Sequence, residues 1–383
     1  MRTLVIGAGI GGLTAAAALH RAGAQVTVLE RAPSLAPVGS AISLAPNALR
    51  ALDVLGAGDE IRDLAAWQGD GGLRSPGGRW LSRSSAEAAR RRFGGPLVLL
   101  PRATLVDTLA ALLPPGAVRT GVRATLADAG YGSRPARVST PEGELEADLV
   151  VAADGAHSVV RGVLFPDRPD AVYAGFTTWR VLVPLAGVEF ASHETWGRGR
   201  LWGSHPLRDG RVYAYAAALA PEGEQAGDER EELLRRYGDW HRPVPEILAA
   251  VGAGDVLRHD VYRLAVPLPA FHRGRVALLG DAAHAMPPSL GQGGNQAIED
   301  GVVLARHRAD LSAYTAARLP RTTGIARRAV RAGRLSLLPG RVSTGLRDTV
   351  VRVLSAGGSG VLLRGFDGIA DWSPPYAAER TAT

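Results

Sequence analysis

Residues 2–30 constrain this chain more than any other stretch. Thr3 to Ile6 is a short apolar run, as a buried parallel strand requires. It opens into Gly7-Ala8-Gly9-Ile10-Gly11-Gly12, a helical stretch Leu13–Arg21 closed near Gly23, a second apolar run Gln25–Leu29, and Glu30. This is a βαβ unit with a dinucleotide fingerprint. Gly7 permits the tight turn, Gly9 lets backbone approach a pyrophosphate, and Gly12 lets the helix pack on the strand. The helix N-terminus offers free N–H groups and a positive dipole end. Glu30 follows Gly12 by 18 positions, where a carboxylate accepts ribose hydroxyls. That acid suits NAD or FAD and disfavours a 2′-phosphate. A chance glycine-rich turn would lack the flanking strands, helix and acid together.

Two further segments repeat the strand-then-turn pattern. Asp148–Ala153 runs into Asp154-Gly155-Ala156-His157-Ser158-Val159-Val160-Arg161. Val276–Leu279 runs into Gly280-Asp281, then Pro287-Pro288 and Gly291-Gln292-Gly293-Gly294-Asn295, with a helix starting near Gly293. An Asp just past a strand can bind a polyol such as a ribityl chain. Gly291 and Gly293 allow close approach to a flat ring, and the helix directs its positive end at anionic charge there. Pro287 and Pro288 form a wall that needs no N–H partner.

These residues resemble the group A FAD-dependent aromatic monooxygenases of the para-hydroxybenzoate hydroxylase fold. The resemblance is greatest to the branch of salicylate hydroxylase, urate hydroxylase and zeaxanthin epoxidase. It covers nearly the whole chain and includes Gly39-Ser40-Ala41-Ile42 with Pro46-Asn47-Ala48, and Arg102 with Leu105. It implies an α/β fold: a Rossmann-like FAD-binding domain, an inserted β-sheet substrate domain and C-terminal helices. The expected divisions are 1–70, 98–166 and 270–320 for FAD, 71–97 and 167–269 for substrate, and 321–383 as a C-terminal helical region. Carried over by position, Gly7, Gly9, Ile10, Gly11 and Gly12 take the pyrophosphate and Glu30 the adenosine ribose. Arg31, Ser40, Ala41 and Arg102 lie against the cofactor. Asp154 and Gly155 serve FAD and a passing nicotinamide, and Gly280 and Asp281 hold the ribityl and phosphate region. Pro287 and Gly291, Gly293, Gly294 and Asn295 face the isoalloxazine.

Residues 171–266 read as sheet: Val172–Pro184, Glu194–Trp202, Arg211–Leu219 and Val256–Val266. Trp179, Arg180, Trp202, His205, Tyr213 and Tyr215 are the pocket candidates, about half of which should point away. Tyr213 and Tyr215 share a face, where packing alone would also explain them. Arg180, His205, Tyr213 and Pro287 are the candidates for catalysis; no base is unambiguous. His157 and His284 stand in the motifs, where such residues more often hold a loop. Arg90-Arg91-Arg92 reads as a solvated loop. The stretch Arg318–Arg352 carries nine arginines against Asp348 and reads as a solvated helix face; the alternative is membrane-surface contact that collects a lipophilic substrate.

Composition removes other chemistries. The chain has 383 residues and no Cys, so it has no disulfide, thiolate nucleophile, iron–sulfur cluster or Cys-linked flavin. All 44 basic residues are Arg, which excludes a Schiff-base Lys and a Walker A loop. A net charge of +7 is mild for this length and indicates no nucleic-acid partner. No metal site, signal peptide or membrane span is expected; the default compartment is the cytoplasm, as monomer or dimer. The resemblance implies non-covalent FAD reduced by NADH or NADPH, O₂ captured as a C4a-hydroperoxide, and one oxygen atom inserted into a small, largely apolar aromatic or polycyclic substrate. Hydroxylation is the leading expectation. Epoxidation, Baeyer–Villiger oxidation, an FAD dehydrogenase or reductase, and a flavin-binding accessory protein remain open. A flavin halogenase is disfavoured by the absence of Trp-x-Trp and Lys.

Overall fold

The computed structural model describes residues 1–35, 39–67, 70–185, 187–252, 254–356 and 363–374. Its organising element is a six-stranded sheet in the order His272–Arg273, Val276–Leu278, Leu149–Ala152, Arg2–Ile6, Gln25–Leu29, Val118–Arg119. All its pairings are parallel except that of the short edge strand His272–Arg273. The inner strands are buried on both faces, which explains their unbroken apolar runs. Gln25–Leu29, Arg2–Ile6, Leu149–Ala152 and Val276–Leu278 are neighbours, so Glu30, Gly7, Asp154 and Gly280 emerge side by side at one sheet edge. Ligands of open parallel sheets bind at this carboxyl edge.

The first helix, Ile10–Arg21, crosses close to its strand because two glycines vacate the space. A Cβ on Gly12 would stand 2.0 Å from the Gly7 carbonyl oxygen. Gly7 itself has φ +104° and backs onto the Ala153 carbonyl.

A seven-stranded sheet forms the second layer, ordered Leu257–Leu264, Ala171–Pro184, Arg211–Leu219, Arg200–Pro206, His193–Trp196, Gly71–Arg74, Trp80–Ser84. The stretch expected as one strand, Glu194–Trp202, is two antiparallel strands joined by a tight turn at 197–199. Alternation divides the sheet's faces. Trp179, Val181, Trp202, Val212, Ala214 and Ala216 pack on the helices Glu229–Tyr237 and Val244–Ala249. Arg180, Leu182, His205, Tyr213 and Tyr215 occupy the opposite face. A small sheet, Ala41–Leu44, Val98–Pro101 and Ala66–Trp67, meets that face through Leu99 and Ala41 against Tyr213 and Leu182.

Two expectations are corrected. Arg90, Arg91 and Arg92 lie on a helix, Ala86–Phe93, with Arg91 paired to Glu87 and Arg92 to Asp367. The 320/321 boundary falls inside one continuous helix, Leu311–Ser336; residues 357–362 and 375–383 of the expected C-terminal region lie outside the described residues. Among the described residues no helix is long and apolar enough to cross a membrane.

Two predictions follow from packing and burial. Gly12→Ala should destabilise the chain by about 3 kcal/mol or more, because backbone must move. Gly9→Ala, which meets nothing within 4 Å, should change stability by no more than about 1 kcal/mol; thermal unfolding of both variants checks this. His193 is buried and His205 half-buried, each with a buried Nε2 that is unpartnered among the described residues, and burial pushes them down to about 4 and about 3. A depressed folded value means the unfolded chain binds the proton first. Stability present above pH ~6.5 should therefore fall as pH drops towards ~4, by up to about 1.4 kcal/mol per unit per histidine. A His193→Asn/His205→Asn variant should flatten denaturant midpoints between pH 6.5 and 4.5; an unchanged slope would contradict the assignment.

Candidate flavin site and substrate cleft

At the carboxyl edge, Glu30 already holds the glycine-rich turn. Its Oε2 accepts from the Ala8 N–H (2.7 Å) and its Oε1 from the Ala32 N–H (2.8 Å). A carboxylate keeps further lone pairs for ribose hydroxyls. Gly9 faces open space, and Arg31 is exposed at the rim. Gly11 is a packing glycine, with Leu279 and Ala297 against it.

The third motif closes the same cleft. Gly280 starts a short turn of helix, Asp281–His284, and the Asp281 carboxylate is exposed, without a hydrogen bond to the described residues. Asn295, at the start of helix Gly293–Arg306, clamps three segments: its Oδ1 accepts from the Ala45 N–H, and its Nδ2 donates to the Ser43 and Gly291 carbonyls. Gly294 leaves room for Ile42, and Gly291 has φ +61°. The Arg102 N–H donates to the carbonyl of buried Ser40, beside Ala41. The Arg102 guanidinium is surrounded by protein, which lowers its pKa, yet it is open to solvent, as a side chain deep in a cleft would be. Asp281, Arg180 and Tyr213 act on it electrostatically.

The residues present fit an FAD. An open cradle at Gly9, a free N-terminal helix end, an uncommitted carboxylate at Asp281 and a deep accessible guanidinium at Arg102 match the donors and acceptors a dinucleotide needs. Asp154 is differently employed: it accepts from Ser158 Oγ (2.6 Å) and the Val160 N–H (3.2 Å), bracing its own turn, while Gly155 faces open space. Pro287 is buried behind the loop.

The histidines of the motifs are structural in geometry. His284 Nε2 bonds Asp300 Oδ2 at 2.6 Å, inside a buried network. His157 is exposed, edge-on to Tyr262. The arginine-rich stretch is not a uniformly solvated face: Arg318 and Arg347 are buried. Arg318 bonds Glu299, Asp300 and Gln296; Arg347 bonds the Ser336 carbonyl and Asp348.

The sheet face opposite carries the pocket candidates in two rows. Leu182, Tyr213 and His205 are in register across three strands, and so are Arg180, Tyr215, Gly203 and Glu194 across four. His205 stacks on Tyr215, with ring centroids 5.5 Å apart and planes within 14°. Arg180 stands near enough to Tyr213 to act on it electrostatically. Trp179 and Trp202 point to the other face and are not in the pocket.

Glu194 is the residue that sequence reasoning missed. Gly203 lies between it and Tyr215, and a Cβ there would strike the Tyr215 ring at 2.4 Å. The phenol therefore lies across Gly203 and donates to Glu194 Oε1 at 2.8 Å. Trp196 Nε1–H donates to the other oxygen. Burial pushes Glu194 up, and burial beside Glu194 pushes Tyr215 well up. An acid inside a half-buried strand is the signal that was available.

Comparison with known proteins agrees with this geometry. A family model described as FAD binding domain matches residues 1–329. The chain is 34% identical over 367 residues to aurachin C monooxygenase/isomerase of Stigmatella aurantiaca, covering 93% of this chain and 95% of that one. It is 37% identical over 358 residues to 3-amino-4-hydroxybenzoate 2-monooxygenase of Streptomyces cremeus, covering 86% of each. The crystal structure of Klebsiella pneumoniae HpxO complexed with FAD and uric acid superposes with a TM-score of 0.86 at 29% identity, covering 97% of this chain and 96% of that one. The chain belongs to the FAD binding domain family and is an FAD-dependent monooxygenase.

Proposed function

We propose that this enzyme consumes NADH or NADPH and O₂ to hydroxylate a flat, hydroxyl-bearing aromatic or heteroaromatic compound. The observation that carries this reading is the Tyr215–Glu194 pair, set in an aromatic wall with His205 and Tyr213 and flanked by Arg180. Two relatives support it: the names of one and the bound molecule of another are an aminohydroxybenzoate and uric acid.

Bound FAD would supply the activation of O₂ and transfer of one oxygen atom. The chain's own residues prepare the substrate. The His205 and Tyr215 rings offer a stacking surface for a planar ring. A substrate hydroxyl at Tyr215 can pass its proton to the phenol oxygen as the phenol's proton moves to Glu194 Oε1, leaving an electron-rich phenolate. Such a carbon attacks electrophilic oxygen more readily, so this base acts where hydroxylation needs it. Arg180, beside Tyr213, stabilises the anion formed, and the apolar Leu99, Leu182 and Leu207 exclude water that would divert the oxygen to peroxide. Glu194 suits the role because burial raises it and no described cation neutralises it.

Anaerobic stopped-flow reduction by NADH and by NADPH, with a panel of phenols and hydroxylated heteroaromatics, tests the reading. One class should accelerate flavin bleaching by tenfold or more, and air should then give a product heavier by one oxygen. Glu194→Gln and Tyr215→Phe should each lower kcat by roughly 10²-fold or more and shift the acid limb of its pH profile, whereas Trp202→Phe should leave kcat/KM unchanged. If chemically reduced enzyme gives only peroxide with every compound, hydroxylation of this class is wrong.

A further inference from the structure

A second cavity lies behind the flavin loop. It has a volume of about 250 Å³ and sits between the helix Leu311–Ser336 and the segments 263–271 and 283–287. Leu268, Phe271, Met286 and Val330 form apolar walls, and Arg263, Arg327, Arg331 and Arg334 stand round it. No Asp or Glu lines it. It shares the Ala283–Pro287 segment with the flavin loop but none of Arg102, Arg180, His205, Tyr213 or Tyr215, so it is not the substrate cleft.

The helix sorts its arginines by face. Arg318 and Arg321 pair with Glu299 and Asp300, and Arg328 donates to carbonyls of the C-terminal segment. Arg327, Arg331 and Arg334, spaced four and three apart on one face, make no hydrogen bond or ion pair with another described residue. Like charges at that spacing repel, and no described residue pairs with them. His284 gives an independent sign. Its Nε2 is fixed by Asp300, while its Nδ1, on a ring that forms part of the cavity wall, is buried and unpartnered among the described residues. Thr323, also on the wall, makes no hydrogen bond to a described residue.

We infer that this cavity binds a small amphipathic organic anion, its apolar body between Phe271, Met286 and Val330 and its carboxylate among Arg327, Arg331 and Arg334. At water's share of about 30 Å³, the volume holds roughly eight to ten heavy atoms of apolar body. That fits an aryl or medium-chain carboxylate and is too small for a two-chain lipid. Three guanidiniums offer forked donors that match a carboxylate better than any neutral head.

Isothermal titration of the FAD-loaded full chain with decanoate tests this. One equivalent should bind with a Kd of order 50 μM, the range ligand efficiency allows, and 1-decanol should bind about tenfold more weakly. Arg331→Glu/Arg334→Glu should weaken decanoate by about tenfold or more, with flavin content and absorbance unchanged. Ala326→Trp should fill the cavity and abolish binding; the surface double variant decides the matter should that protein fail to fold. Absence of binding at about 1 mM decanoate would overturn the inference, as would equal affinity in the charge-reversed variant. Displacement of decanoate by NADH would make it a dinucleotide subsite, and retention on anionic vesicles without affinity for free decanoate would make it a membrane contact; either result also overturns it.

Discussion

The loops of the candidate flavin site depend on one buried guanidinium. Arg318 donates from Nε to Asp300 and from its terminal nitrogens to Glu299 and Gln296. Asp300 in turn accepts from the Gly280 N–H and from His284, and Glu299 accepts from Asn47 and from both ends of Arg321. The charges balance, two guanidiniums against two carboxylates. Each carboxylate also accepts from a segment it positions, Asp300 from the Gly280 N–H and Glu299 from Asn47. A buried ion pair adds little net stability over an apolar replacement, but removing one partner costs about 3–5 kcal/mol. The network therefore acts chiefly as a set of fixed lengths. It sets where Gly280, Asp281 and the Pro46–Leu55 helix stand relative to the start of helix Gly293–Arg306.

The substrate sheet works by the same economy of position. Its two faces are chemically unlike because side chains alternate, and one face is sealed by helices bearing Leu233, Tyr237, Ile247 and Leu248. The other is left for chemistry. Tyrosine, imidazole and carboxylate come into contact there only because three antiparallel strands hold a given register. A slip of one residue would bury Trp202 in the cleft and send His205 to the helices.

Much of the candidate cofactor site is legible in the chain because its information is local. Gly7 is needed by one turn and Gly12 by one helix crossing, and Glu30 and Asp281 each follow a strand whose pattern is plain. The tail was misread for the opposite reason. Arg318 and Arg327 look alike in a basic run, yet one is buried against Glu299 and Asp300 and the other faces an apolar cavity. Helical phase alone does not say which face meets a carboxylate. Three consecutive arginines at 90–92 suggest a loop by charge alone, but the Ser85 hydroxyl accepts from the Ala88 N–H and starts a helix there.

The sequence by itself determined the class of fold, the dinucleotide motif and the order of three strand-ending turns, since each rests on contacts within a few residues. Only the tertiary structure decided which candidates share the cleft. It turned Trp179 and Trp202 away, joined Tyr215 to Glu194 across Gly203, and made His284 a strut of Asp300. Those outcomes depend on register and on packing between segments far apart in the chain, and long-range geometry of that kind is set when the sheets and helices close on one another.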